Sequence, residues 1–177
     1  MSTRHFYFLA AAVVFILFLV AALQLSGGQA EPPGDLEARP QLGYLAPDFT
    51  LRDLEGNQVT LSSLRGKAVF LNFWATWCQY CVEEMPSLQE IHDRYGNRMA
   101  VYAINVGESL AQVSGFLKKN GYTFPVLLDE DEAVARRYLI RGFPTSFFID
   151  ARGVIVELVP GGMTTEQMEQ AVQRALR

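Results

Sequence analysis

The chain is poor in several kinds of residue. Among 177 residues there are only two cysteines and two histidines. Two cysteines cannot build a disulfide-stapled scaffold, and with one histidine at position 5 they fall short of the four ligands of a structural zinc site. Cationic charge is scarce as well. Lys and Arg number 15 against 19 Asp and Glu, for a net charge of −4, and nowhere do the cations cluster. That argues against a nucleic-acid binder. No internal repeat is present, which excludes a solenoid. With half its residues hydrophobic, the chain is too apolar to be disordered.

There is one long hydrophobic run, FYFLAAAVVFILFLVAALQL from Phe6 to Leu25, with Gln24 its only strongly polar residue. At ~1.5 Å per residue, twenty helical residues match a bilayer core of roughly 30 Å. Arg4 and His5 precede the run and the next positive charge is Arg39. The expectation is a cytoplasmic N-terminus (1–5), a transmembrane anchor (6–25) and a domain on the far side of the membrane. A cleaved signal peptide is the alternative, since Gly28-Gln29-Ala30 offers small residues, although the run exceeds the usual ~7–15 residues of a signal h-region. Residues 26–45, rich in Pro and Gly, read as a semi-stiff tether whose last part, around Leu42 to Leu45, is the part most apt to pack on the domain. Residues 46–177 suffice for one domain with a core.

Within that domain, Asp48–Leu51 and Gln58–Leu61 read as a hairpin about the Asp53–Asn57 turn. Ala68–Trp74 (AVFLNFW) predicts a strand buried on both faces. A helix follows from about Cys78 to Tyr95 with Pro86 inside it, then a strand over Met99–Val106. Ser109 caps a helix that ends at Asn120-Gly121. Val126–Leu128 predicts a short strand and Glu132–Tyr138 a short helix, with Glu130-Asp131-Glu132 a solvated acidic cap. Strands at Ser146–Ile149 and Val154–Val159 flank a turn, and Thr164, with Gln167, opens the last helix through a capping box. The order describes an α/β domain with a mixed central sheet flanked by helices.

The chemistry lies in Trp77-Cys78-Gln79-Tyr80-Cys81, where a strand runs into a helix. Free N–H groups and the helix dipole at a helix start favour a thiolate, the attacking species in disulfide exchange. Cys78 at the helix start therefore reads as the nucleophile, and Cys81 as the resolving thiol. A purely structural disulfide is the competing reading, but so short a loop removes little chain entropy. His92 reads as a surface histidine rather than a catalytic base. Trp74, Tyr80 and Phe143 could line a substrate rim, with core packing the alternative for the chain's aromatics.

The segments NFWATWCQYC, EEMP, INVGES, FPVLLD and GFPTSFFIDARG, in this order, resemble the thioredoxin superfamily and, within it, the membrane-anchored ResA/TlpA-like thiol–disulfide oxidoreductases. The resemblance spans about Ala46 to Leu176. It implies a thioredoxin-like fold with an N-terminal β-hairpin extension, a Cys78–Cys81 redox disulfide, a cis Pro144 and a substrate surface including Trp77, Phe143 and Pro144. It also implies reduction of substrate disulfides outside the cytoplasm, such as those of apocytochrome c during cytochrome c maturation, with an integral-membrane thiol donor recharging the pair and no cofactor or metal. Thioredoxin carries a buried aspartate where this chain has Asn72, which cannot titrate. Glu84, one helical turn beyond Cys81, is the substitute proton acceptor that the resemblance implies, a solvated surface glutamate being the alternative. Relatives often place Pro between the cysteines, whereas this chain has Gln79-Tyr80, leaving the reduction potential open.

Two other functions compete with this one. Ala46-Pro47-Asp48-Phe49 resembles the opening of a peroxiredoxin-like peroxidase, but that site needs Pro-x-x-x-Thr-x-x-Cys, and Thr76 stands two rather than three residues before Cys78. An anchored copper-delivery module needs a wider cysteine spacing and a histidine near the C-terminal hairpin, and none follows His92.

Overall fold

The computed structural model describes residues 37–177, so the apolar run at 6–25 and the tether up to residue 36 lie outside the described residues. Among the described residues no helix is long and apolar enough to cross a membrane. Strands β1 (Thr50–Asp53) and β2 (Gln58–Thr60) form the first hairpin. Asp53 makes its turn: Oδ1 accepts the N–H groups of Glu55 and Asn57, and Oδ2 accepts the Asn57 amide. β1 starts and ends two residues later than the apolar pattern suggests, and β2 stops one residue short of it. Leu61 leaves the sheet for a 3-10 turn (Leu61–Leu64), where it is wholly buried, and Asp48 accepts the Ser62 N–H.

Strand β3 (Ala68–Trp74) is buried at every residue, as its unbroken apolar run predicts. It pairs in parallel with β4 (Met99–Val106), which pairs in parallel with β5 (Val126–Asp129). On its other side β3 meets β6 (Thr145–Ile149) and then β7 (Ile155–Pro160), both pairings antiparallel. The seven-stranded order is β2-β1-β5-β4-β3-β6-β7. Parallel neighbours need crossovers, supplied by α1 (Gln79–Tyr95) and α2 (Leu110–Asn120); α3 (Ala133–Arg137) leads from β5 to β6, and α4 (Thr165–Ala175) closes the chain. This is the thioredoxin-like α/β architecture with a mixed sheet.

Alternation along β3 sorts its side chains to two cores. Phe70 and Trp74 pack with Met85, Leu88 and Ile91 of α1, Val113 and Leu117 of α2, and Met168 and Val172 of α4. Val69, Leu71 and Phe73 pack with Phe49, Leu61, Val134 and Tyr138 on the other face. Phe70 and Phe148, register partners on β3 and β6, stack with centroids 4.2 Å apart. Asn72 falls on the α1 side, a buried polar residue in an otherwise apolar strand.

The expected caps are present. Ser109 with Gln112, and Thr164 with Gln167, form capping boxes, while Gly121 takes the left-handed conformation (φ 75°) that ends α2. At α3 the exposed acidic trio contributes only the Asp131 contact to the Ala133 N–H. The main cap is the buried Asp129, whose carboxylate accepts the N–H groups of Val134 and Ala135. The last part of the tether lies along the start of β7. Gly43 N–H donates to Ile155 O, Ile155 N–H to Tyr44 O, and Ala46 N–H to Gly153 O.

Candidate active site

β3 delivers the chain through Ala75, Thr76 and Trp77 to Cys78, which is the N-cap of α1. Cys78 and Cys81 form a disulfide with their Cα atoms 5.3 Å apart. The Cys81 N–H points at Cys78 Sγ, 3.2 Å away, so a first-turn donor of the helix is already aimed at the sulfur that would carry negative charge after reduction. Cys78 keeps 7% of its surface exposed and Cys81 none. Of the two sulfur residues, Cys78 is the one a partner can approach.

Glu84 is 4% exposed. It stands on α1 one turn past Cys81, on the face that meets the sheet and the loop before α4. Asn72 of β3 donates its amide to Glu84 Oε1 at 2.7 Å, and the Met163 N–H donates to Oε2 at 2.9 Å. The same amide also donates to Ser146 Oγ, at 3.0 Å, from Asn72's register partner on β6. Burial pushes the Glu84 carboxyl up to about 7, opposed by the Met163 and Asn72 hydrogen bonds, which favour the charged form. Glu84 is thus a buried carboxyl that changes charge near neutrality, not a solvated surface glutamate.

A second buried carboxylate holds the loop from the other side. Glu108 accepts the Thr76 N–H at 2.7 Å, the Thr76 hydroxyl and, at 2.7 Å, the Asn105 amide. As a family mark the INVGES segment carries no sign of this role, because the partner Thr76 lies 32 residues away. A chemical signal was available: a Glu flanked by Gly and Ser just before a helix is apt to be fixed by hydrogen bonds.

The Phe143–Pro144 peptide is cis, as the resemblance implies. Phe143 stacks edge-on against Trp77, with ring centroids 5.8 Å apart, so these two predicted substrate residues form one apolar edge beside the disulfide. Trp77 is 70% exposed and Tyr80 69%. Trp74 does not belong to this rim. It is wholly buried against Phe116, because its position on β3 points it into the helix-covered core. His92 is half-buried rather than a free surface side chain, and at position 92 of α1 it lies about 20 Å along the helix from Cys78. Among the described residues no three His, Cys, Asp or Glu side chains gather closely enough to hold a metal ion.

Comparison with known proteins agrees with this geometry. The AhpC/TSA family model matches residues 42–158. Thiol-disulfide oxidoreductase ResA of Geobacillus kaustophilus is 41% identical over 133 residues, covering 75% of this chain and 76% of that protein. Thioredoxin-like protein YneN of Bacillus subtilis is 39% identical, covering 73% and 78%. Among solved structures, a thiol:disulfide interchange protein of the thioredoxin family from Chlorobium tepidum superposes with a TM-score of 0.68 at 31% identity, covering 80% of this chain and 99% of that one. With a Cys78–Cys81 disulfide at a helix start on a thioredoxin-like sheet, and a family match over residues 42–158, this chain belongs to the AhpC/TSA family, among its thioredoxin-fold thiol–disulfide oxidoreductases.

Proposed function

We propose that the protein reduces disulfides of protein substrates outside the cytoplasm, held at the membrane by residues 6–25 and recharged by an integral-membrane thiol donor. The observation that carries this reading is the asymmetry of the cysteine pair: Cys78, at the helix N-cap, keeps 7% of its surface open, and Cys81, behind it, keeps none. The Cys78 thiolate attacks a substrate sulfur, forming a mixed disulfide and releasing the other substrate sulfur as thiolate. Cys81, deprotonated with Glu84 as acceptor, attacks Cys78 Sγ. The substrate leaves as a dithiol, and its two electrons come from the Cys78–Cys81 pair, which ends as a disulfide. Trp77, Phe143 and Pro144 form the surface on which the substrate rests. Apocytochrome c before haem attachment is the proposed substrate.

The peroxidase reading is disfavoured because the Thr76 hydroxyl is engaged by Glu108 and the cysteines are paired with each other. The test is a Cys81→Ser variant expressed in cells, which should accumulate mixed disulfides through Cys78 in the membrane fraction, with apocytochrome c among the trapped partners. Trapping through no partner, or only with cytoplasmic proteins, would reject the proposal. In the reduced protein near neutral pH, alkylation should reach Cys78 before Cys81.

A further inference from the structure

At the end of α3, Leu139 occupies a position that nothing inside the protein explains. Tyr138 is the C-cap of the helix, the Leu139 N–H donates to Arg136 O, and the Ile140 N–H donates to Ala135 O. This pattern of two backbone bonds is the helix ending in which the residue after the cap is left-handed, and glycine is the usual occupant. Leu139 has φ 55° there, which crowds its Cβ against the backbone. Nor does core packing compensate, since the side chain is 60% exposed. A large apolar side chain in a disfavoured backbone conformation, turned to solvent, points outward to a partner.

The surface it belongs to is an open groove of about 410 Å³ whose lining includes Leu139, Ile140, Phe143, Pro144, Leu158 and Pro160. Arg141 and, from the segment ahead of the domain, Pro40 and Gln41 also line it. It is continuous with the redox face, because Phe143 both lines it and stacks on Trp77, the residue before Cys78. A protein whose disulfide meets Cys78 therefore has its neighbouring residues led along this groove toward Leu139. We propose that the groove binds an extended apolar segment flanking the attacked cysteine of the substrate, and that Leu139 sets the preference for it. The proposal rests on the reading of the chain as a disulfide reductase acting through Cys78.

The test uses the full-length protein, reduced beforehand, and two short synthetic peptides studied as symmetric disulfide-linked dimers. One has Leu, Val and Phe around the cysteine, the other Ser, Gln and Asn. Burying part of one large apolar side chain predicts that the apolar dimer is reduced about tenfold faster at low concentration, and that Leu139→Gly brings the two rates to within about twofold, mainly through KM. Leu139→Asn, polar but tolerant of the left-handed conformation, should do the same, and neither variant should unfold at a lower temperature than the parent. Equal rates for the two dimers with the parent protein would overturn the proposal, as would a preference that survives in both variants. So would a loss that strikes both dimers alike together with a lower unfolding temperature, which would make Leu139 a structural residue. Failure of the parent to reduce either dimer, or any small aromatic disulfide, would instead remove the reductase reading, and this proposal with it.

Discussion

Burial alone would hold the Glu84 proton more tightly still; the Met163 N–H and the Asn72 amide moderate it to about 7. An acid whose folded pKa lies above its unfolded value of 4.5 binds extra protons in the folded state, so its stabilisation is complete below pH 4.5 and is lost as pH rises through 7. The difference amounts to roughly 3 kcal/mol. Urea unfolding of the oxidised protein, in which neither cysteine titrates, should therefore show stability falling between pH 5 and pH 8, with Glu84→Gln removing most of that slope. Parallel profiles would mean that Glu84 does not titrate in this range. In the reduced protein the same variant should change the pH dependence of thiol reactivity, the outcome expected of the proton acceptor proposed for Cys81. Asn72→Asp offers a complementary check. It puts a second carboxyl within hydrogen-bond distance of Glu84, and two such groups cannot both ionise cheaply. The expected result is stability near that of the parent at pH 5 and a clear loss at pH 8.

At the scale of single elements, the loop between β3 and α1 is held by a carboxylate on the far side of the parallel crossover. Glu108→Ala removes the acceptor for the Thr76 N–H, the Thr76 hydroxyl and the Asn105 amide together, which should cost at least about 2 kcal/mol and loosen the approach to Cys78. Thermal unfolding measures the cost, and alkylation of the reduced protein measures the loosening. Gly121→Ala, at φ 75°, should cost about 1 kcal/mol without touching the cysteines. Elements like these differ in how legible they were in the sequence. The caps at Ser109 and Thr164, the Asn120-Gly121 stop and the start of α1 at Cys78 depend on neighbours within a few residues, and all were readable. The cap at Asp129 is not legible beside the acidic trio after it, because a carboxylate ending an apolar strand gives no local sign of the helix N–H groups it will accept. The Glu84–Met163 bond spans 79 residues, so that no window of sequence contains it. Trp74, expected at the rim, is illegible for another reason: in an uninterrupted apolar run no periodicity tells which face a side chain takes, and only the register of β3 against β4 and β6 decides it.

For the molecule as a whole, the two sides of the sheet have separate tasks. The side under α1, α2 and α4 contains the cysteines together with Asn72 and Glu84, while the opposite side is closed by α3 and by residues 46–49. Tyr138 ties that closure together, its hydroxyl donating to Pro47 O from within the core. Tyr138→Phe should therefore cost about 1 kcal/mol, seen as a lower denaturant midpoint, while leaving the Cys78–Cys81 pair reducible. The segment at Gly43–Ala46 has a further bearing on behaviour in solution. At one margin of the sheet β2 is only three residues long, and at the other β7 ends in a proline while its first residues are covered by this segment. Short strands, prolines and covered margins are how β proteins avoid being templates for their neighbours. A chain beginning after Ala46 would keep both cysteines but leave the start of β7 with open backbone donors and acceptors. Its expected fate is self-association through strand pairing, visible as concentration-dependent growth in light scattering where the longer chain stays constant.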